Sequence, residues 1–296
     1  MPPLPSTNVA IGVLAAPEAV SGVARTRSNL AVRTLSAVVF GPLVLAAMWF
    51  GGWGLIALTL VVIGRGSWEF FYLATQAGRR PLTALGVVLA LAIGGWVAWR
   101  GATDLEVLLL AATMVVLAVA LSRGVQDYVA TVAVTLAGII YLGLLGSAPL
   151  LVARTVGPDR GHEAGLLLLA VLSCIWLTDT AAFLCGRRWG RRRLAPTISP
   201  GKTVVGLVAG ALGGLVPVAL LPALPSFTLP SLAGLMVLVS AGGQVGDLAE
   251  SALKRDLGVK DAPPLIPGHG GALDRFDSYL FAFPLTYLYI RLLGLF

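Results

Sequence analysis

Charge is what this sequence has least of. Only 12% of its 296 residues are Asp, Glu, Lys or Arg, while 57% are hydrophobic. A soluble domain carries about 25% charge, so the shortage excludes an ordinary soluble enzyme. Cysteine is also scarce. Cys174 and Cys185 are the only two, eleven residues apart on one predicted helix. That spacing sets them roughly 16 Å apart, beyond the reach of a disulfide. Neither has metal-ligand spacing, and both read as filler of an apolar helix. The short alternating segments of a membrane β-barrel are missing, and no internal repeat is present. No basic start leads into an uninterrupted apolar core, so residues 1–30 read as a mobile cytoplasmic tail rather than a secretory signal.

What the chain does have is long apolar runs. They fall at roughly 33–50, 53–75, 82–100, 105–121, 128–153, 164–186, 203–223, 229–250 and 276–295. Each is near the length a bilayer core requires of a helix. Breaks at Gly51-Gly52, Gly78 to Pro81, Gly101, Gly124, Gly157-Pro158 and Pro222 to Pro230 separate them. The reading is an all-α polytopic membrane protein of about nine transmembrane helices. It divides into the tail (1–30), N-terminal transmembrane helices (31–160) and a C-terminal catalytic region (161–296).

The net charge of +7 suits an anionic leaflet better than nucleic acid, so no nucleic-acid partner is expected. With the N-terminus in the cytoplasm, sixteen of the 21 Lys and Arg residues fall on the cytoplasmic side. Arg100, Arg154, Arg160 and Arg291 fall on the far side, and Arg65 lies within a span. The polar loops 187–202 and 251–275 are both cytoplasmic in this topology.

Few polar groups interrupt the apolar runs. Arg65 and Glu69 are four apart and can pair on one helix face. They read as a self-neutralising pair, or Glu69 helps line a polar cavity. Gly138, Tyr141-Leu-Gly143 and Gly146 mark close helix packing. Asp179 makes no sense as a packing residue. It either pairs with Arg187 or another helix, or contacts a cation or substrate at a cytoplasmic cavity. Arg187, Arg188, Arg191, Arg192 and Arg193 read mainly as membrane anchors. Ser199-Pro-Gly-Lys202-Thr203 reads as a kinked turn suited to a phosphate, without the pattern of a P-loop.

Charge is concentrated between Gly246 and Ser278. Asp247, Glu250, Ser251 and Lys254 share one helix face, and Asp274 and Asp277 share another. Pro267-Gly-His269-Gly-Gly271 lies between them. Two acidic faces joined by a glycine-rich loop can converge on a hard divalent cation such as Mg²⁺, with the basic groups neutralising phosphates. Ion-coupled transporters also use intramembrane acids and broken helices. Here, however, the acids gather at one cytoplasmic edge rather than the midplane.

These residues resemble the phosphatidate cytidylyltransferase, or CDP-diacylglycerol synthase, family. The signature stands as Ser251-Ala-Leu-Lys254-Arg255, Lys260-Asp261, Pro267-Gly-His-Gly-Gly271 and Asp274-Arg275-Phe-Asp277. Gly246-Asp247, Asp179-Thr-Ala-Ala-Phe, Gly186-Arg187 and Ser199-Pro-Gly-Lys202-Thr203 add to it. Strong resemblance covers about residues 175–280. Val205 stands where the family usually has Glu, Pro263 where a small residue is usual, and Ala272 where a larger aliphatic is usual.

The resemblance implies transfer of CMP from CTP to phosphatidate, giving CDP-diacylglycerol and pyrophosphate. It implies an Mg²⁺-dependent nucleotidyltransferase, with room for a second cation. Asp247 and Asp274 are the first expected Mg²⁺ ligands, with Asp277 and Asp261 next. Lys202, Lys254, Arg255 and Lys260 are expected on phosphates, with Ser199 and Ser251 as hydrogen-bond partners and Asp179 beside the cofactor. His269 is expected on a phosphate or the leaving group. The expected setting is a bacterial inner membrane with the site facing the cytoplasm, and a homodimer is open. A CTP-dependent transferase acting on another lipid is the nearest alternative.

Overall fold

The computed structural model describes residues 38, 40–259 and 271–296. Helices occupy the apolar segments in order: α1 (Phe40–Phe50), α2 (Gly52–Gln76), α3 (Thr83–Arg100), α4 (Leu105–Leu121) and α5 (Tyr128–Gly138). A π-helical turn over Ile139–Leu144 and a short 3-10 turn carry α5 directly into α6 (Ala148–Val156). Then come α7 (Gly161–Trp189), a hairpin of β1 (Arg193–Ala195) and β2 (Ser199–Thr203), α8 (Val204–Gly213) and α9 (Leu229–Asp256). The short α10 (Leu273–Phe276) and α11 (Tyr279–Leu292) complete the chain. The turn between α1 and α2 uses left-handed backbone at Gly51 and Gly52, with φ of 61° and 54°. A side chain there would be strained.

Among the described residues, five helices are long and apolar enough to cross a membrane: Gly52–Gln76, Thr83–Arg100, Tyr128–Val156, Pro158–Trp189 and Leu229–Asp256. Phe40–Phe50, Leu105–Leu121 and Val204–Ala219 are apolar but shorter. The last apolar run forms a 14-residue helix with Pro284 inside it. The expected run at 203–223 breaks into α8 and a 3-10 segment, Val216–Ala223, where Gly213-Gly214 and Pro217 interrupt the ladder. The chain is not purely helical either. β1 and β2 pair antiparallel, Arg193 with Thr203 and Ala195 with Ser199, so the expected turn at Ser199–Thr203 is a strand.

The outward faces are apolar. Along α4 only Ala112, Val116 and Ala120 are buried, while Val107, Leu110 and Met114 point outward. Such a surface is stable where lipid is the solvent. The main core gathers α6, α7, α9 and α11 around Leu167, Leu172, Ile175, Leu235, Val239 and Phe283. A second core joins Phe70, Phe71, Leu73 and Ala74 of α2 to Leu257, Leu273 and Leu280. The N-terminal helices therefore pack directly against the acidic C-terminal elements. Gly143 gives α3 a close approach: a Cβ there would lie 2.8 Å from the Ala90 Cα.

Candidate active site

Small residues bring the site helices together. On α8, a Cβ at Gly206, Gly210 or Gly213 would lie 2.8, 3.1 or 2.9 Å from the carbonyls of Ala182, Thr178 or Leu177 on α7. Nothing larger than glycine fits that seam without a shift. The Thr178 hydroxyl donates to Ser240 at 2.9 Å, linking α7 to α9. On α9, a Cβ at Gly246 would lie 2.6 Å from the Asp277 carbonyl. The glycine face of α9 thus seats the chain just before α11 and sets Asp277 beside Asp247.

The hairpin delivers Lys202 to the same place. Thr203 caps α8 by accepting from the Gly206 N–H at 3.1 Å. One residue earlier, Lys202 Nζ lies 2.9 Å from Asp247 Oδ2 and donates to the Gln244 carbonyl at 3.3 Å. Arg255 also reaches the hairpin, donating to the Ile198 carbonyl at 3.4 Å, and it donates to the Val259 carbonyl just past α9 at 3.1 Å.

Three carboxylates share this region. Asp277 is raised to about 7, first by burial and then by the charge of Asp247, with Asp179 adding to it. The Ser278 N–H, 2.6 Å from Asp277 Oδ1, and the Lys202 ammonium work in the opposite direction. The charged groups that act on Asp179 are Asp247 and Lys202, not Arg187. Ser251 donates to Asp247 Oδ1 at 3.4 Å.

A second group lies one turn further along α9. Lys254 Nζ is 2.6 Å from Asp274 Oδ1 and 2.7 Å from Glu250 Oε2. Gly271 donates its N–H to Asp274 Oδ2 at 3.3 Å. Burial opposes the charged form of Asp274, but Lys254, Glu250 and that N–H hold it below the usual carboxylate range. Asp247 and Asp274, the first expected metal ligands, therefore each hold a lysine. Asp247 sits with Asp277 and Asp179, and Asp274 sits with Lys254 and Glu250. Lys260, Asp261 and His269 lie outside the described residues. Ser199 is on β2, half-buried at the start of the strand.

Among the described residues, no three carboxylate, histidine or cysteine groups form a ready-made metal cage. Mg²⁺ does not require one. It binds through one or two carboxylates together with waters and substrate phosphates. Asp247 and Asp277 fit that donor set. Their oxygens are hard ligands, and the suppressed ionisation of Asp277 marks a place where added positive charge is favourable.

Two groups have partners that the sequence did not reveal. Glu250 is 1% exposed. Its i,i+4 spacing to Lys254 was legible, but the shared contact with Asp274 was not. Glu69, on α2, accepts a hydrogen bond from the N–H of Leu273, a partner no local pattern reveals.

Comparison with known proteins places these features in context. Residues 31–293 match the model of the cytidylyltransferase family. A phosphatidate cytidylyltransferase of Brucella suis biovar 1 is 34% identical over 278 residues, covering 88% of this chain and 93% of that protein. One from Staphylococcus aureus strain COL is 44% identical over 128 residues, covering 43% of this chain and 49% of that protein.

Proposed function

We infer the reaction from one premise: the chain belongs to the cytidylyltransferase family. Its near full-length relative is a phosphatidate cytidylyltransferase, and the same activity is the function of this chain. It transfers CMP from CTP to phosphatidate and makes CDP-diacylglycerol, a step of phospholipid biosynthesis. A phosphate oxygen of phosphatidate forms a bond to the α-phosphorus of CTP. The bond from that phosphorus to the bridging oxygen breaks, and pyrophosphate leaves with the electron pair. No protein nucleophile is needed, so positioning and charge stabilisation carry the catalysis.

The observation that best supports this reading is the contact of Lys202 with Asp247, with the charges of Asp277 and Asp179 acting at the same place, delivered by a hairpin, two helices and the turn before α11. Two phosphate-bearing substrates need both signs of charge at one place. Lys202 and Lys254 supply ammonium groups toward phosphates, and Arg255 supplies a guanidinium. Ser199 and Ser251 supply hydroxyls. Asp247 and Asp277 would hold Mg²⁺, and Asp274 would join them by releasing Lys254. A bound Mg²⁺ offsets negative charge on the nucleotide phosphates. Asp179 would orient the nucleotide side of the site.

The proposed topology agrees with this reading. A topology with the N-terminus in the cytoplasm, as the bias of basic residues suggests, would put the hairpin and the α9–α11 junction on the cytoplasmic side, where CTP is dissolved. Phosphatidate enters sideways from the leaflet. The setting is a bacterial inner membrane, in keeping with the bacterial relatives.

The test is purified protein in vesicles with CTP and phosphatidate, with and without Mg²⁺. Labelled CDP-lipid that requires both substrates and Mg²⁺ is the expected result. A folded protein that makes CDP-lipid only from another phospholipid or a polyprenyl phosphate would move the assignment to that substrate.

A further inference from the structure

Glu69 is fully buried on α2, far in sequence from every group of the site. A buried carboxylate is costly unless it is paired and hydrogen-bonded. One oxygen faces Arg65 Nε at 3.0 Å. The other accepts the backbone N–H of Leu273 at 2.8 Å. Leu273 opens α10 and immediately precedes Asp274. We propose that Glu69 is a positioning residue for the reaction: its carboxylate fixes the start of α10, and with it the placement of Asp274 and Asp277. The proposal rests on the cytidylyltransferase reading above.

The geometry carries this in three ways. First, the bond goes to the main chain, so it fixes the segment whatever the side chains do. Gly271 donates to the Asp274 side chain, and the Ala272 carbonyl accepts from Arg275 at 3.0 Å and from Phe276 at 3.2 Å. Moving Leu273 therefore moves this bonded turn as a unit. Second, α2 is a rigid platform. Phe71 is fully buried and fills the spaces left by Gly86 and Gly138. Leu273, 1% exposed, packs into the same core beside Phe70 and Phe71. Third, the core on α2 also takes in the end of α9: Leu257 lies in it, and Arg79, just past the end of α2, reaches Asp256 at 3.6 Å. One helix of the N-terminal half thus fixes the C-terminal end of α9 and the start of α10, the two elements whose carboxylates share Lys254.

Arg65 has a complementary part. It is partly exposed and stacks over Trp68 at 4.4 Å. From there its guanidinium faces the Glu69 oxygen that does not bond to Leu273. Glutamine at position 69 keeps an acceptor oxygen, while alanine removes it. The two variants therefore separate the hydrogen bond from the charge.

The experiment uses the full chain in detergent or vesicles, with Glu69→Ala and Glu69→Gln compared with wild type. The first readout is hydrogen exchange of the backbone amides over 271–278, without substrate or metal. Glu69→Ala is expected to lose protection there, and Glu69→Gln to keep it. The second readout is turnover of CTP with phosphatidate. Glu69→Ala is expected to lower kcat on the order of 10- to 100-fold with the KM for CTP nearly unchanged, as displaced catalytic groups do. Glu69→Gln is expected to restore most of kcat. Unchanged exchange over 271–278 in Glu69→Ala overturns the proposal, as does a kcat equally lost in the Gln variant. Should Glu69→Ala not fold, Glu69→Gln against Arg65→Gln decides. Both retain an acceptor at position 69 and are expected to keep amide protection, and its loss in Glu69→Gln alone overturns the proposal. A wild type inactive toward CTP removes the functional premise, while the exchange readout still tests the contact.

Discussion

Lys202 Nζ lies 2.9 Å from Asp247 Oδ2. The lysine comes from the hairpin before α8 and the aspartate from the last third of α9, so the contact joins two elements that local sequence does not connect. On the proposed reading, the contact holds a phosphate-binding cation against a cation-binding anion, and substrate binding would exchange this pair for contacts to phosphate.

The two partners should fail differently. Asp247→Asn keeps the shape and loses the charge. It is expected to lower kcat by about 10²- to 10³-fold, the scale of losing one electrostatic group at the reacting centre. Lys202→Ala is expected to raise the KM for CTP more than it lowers kcat. Steady-state kinetics with varied CTP separates the two effects. Equal changes in both parameters for both variants would contradict the division of roles.

Lys254 is the cation between Glu250 and Asp274, and its side chain is only 13% exposed. Lys254→Met leaves two carboxylates facing each other with little water. Removing one partner of a buried group of this kind costs about 3–5 kcal/mol. A lowered thermal midpoint in detergent is expected together with lost turnover. Lys254→Arg keeps the charge and is expected to recover part of the stability.

Gly246 is where α9 meets the backbone before α11. Alanine there would place its Cβ 2.6 Å from the Asp277 carbonyl, and a backbone atom cannot rotate away. Gly246→Ala is expected to cost about 1–3 kcal/mol and to lower turnover by displacing Asp277. Gly201→Ala, with open space around its Cβ, is the control for stability and should show little change in thermal midpoint.

Asp277 gives the pH prediction. Its pKa in the folded protein is raised to about 7, from an ordinary value of about 3.9. A raised pKa means that the folded state holds the proton more tightly than the unfolded state. Its stabilising contribution is complete below about pH 4 and is lost as pH rises to about 7. Without divalent cation, the thermal midpoint of wild type should therefore fall over this range relative to Asp277→Asn. On the proposed reading a divalent cation would compete with the same proton, so its affinity should rise with pH across the same interval. A difference between the two proteins that does not vary with pH would contradict the assignment.

Much of this was legible in the sequence, and the parts that were not have physical causes. Apolar runs located the helices because hydropathy reports directly on solvent preference. Their number as full spans was not legible, since the 203–223 run breaks at Gly213-Gly214 and the last run forms only a 14-residue helix, without a change of composition. Ser199–Thr203 read as a turn because Pro and Gly dominate it; pairing with Arg193–Ala195 made it a strand. The spacing of Asp247, Glu250 and Lys254 put them on one face correctly, because helical geometry is local. Which lysine each aspartate holds depends on packing between helices, and no spacing encodes it. Glu69 is the clearest case. Arg65 at i−4 was visible, but the Leu273 N–H was hidden by 204 residues of chain.

The most direct test of the account follows the α-phosphate of CTP. CTP labelled at the α-phosphate, given to vesicle-reconstituted protein with phosphatidate and Mg²⁺, should pass its label into an organic-soluble CDP-lipid. CTP labelled at the γ-phosphate should release its label only as pyrophosphate. Label in lipid from the γ-position, or no lipid product from a folded wild type while Asp247→Asn behaves identically, would contradict the account.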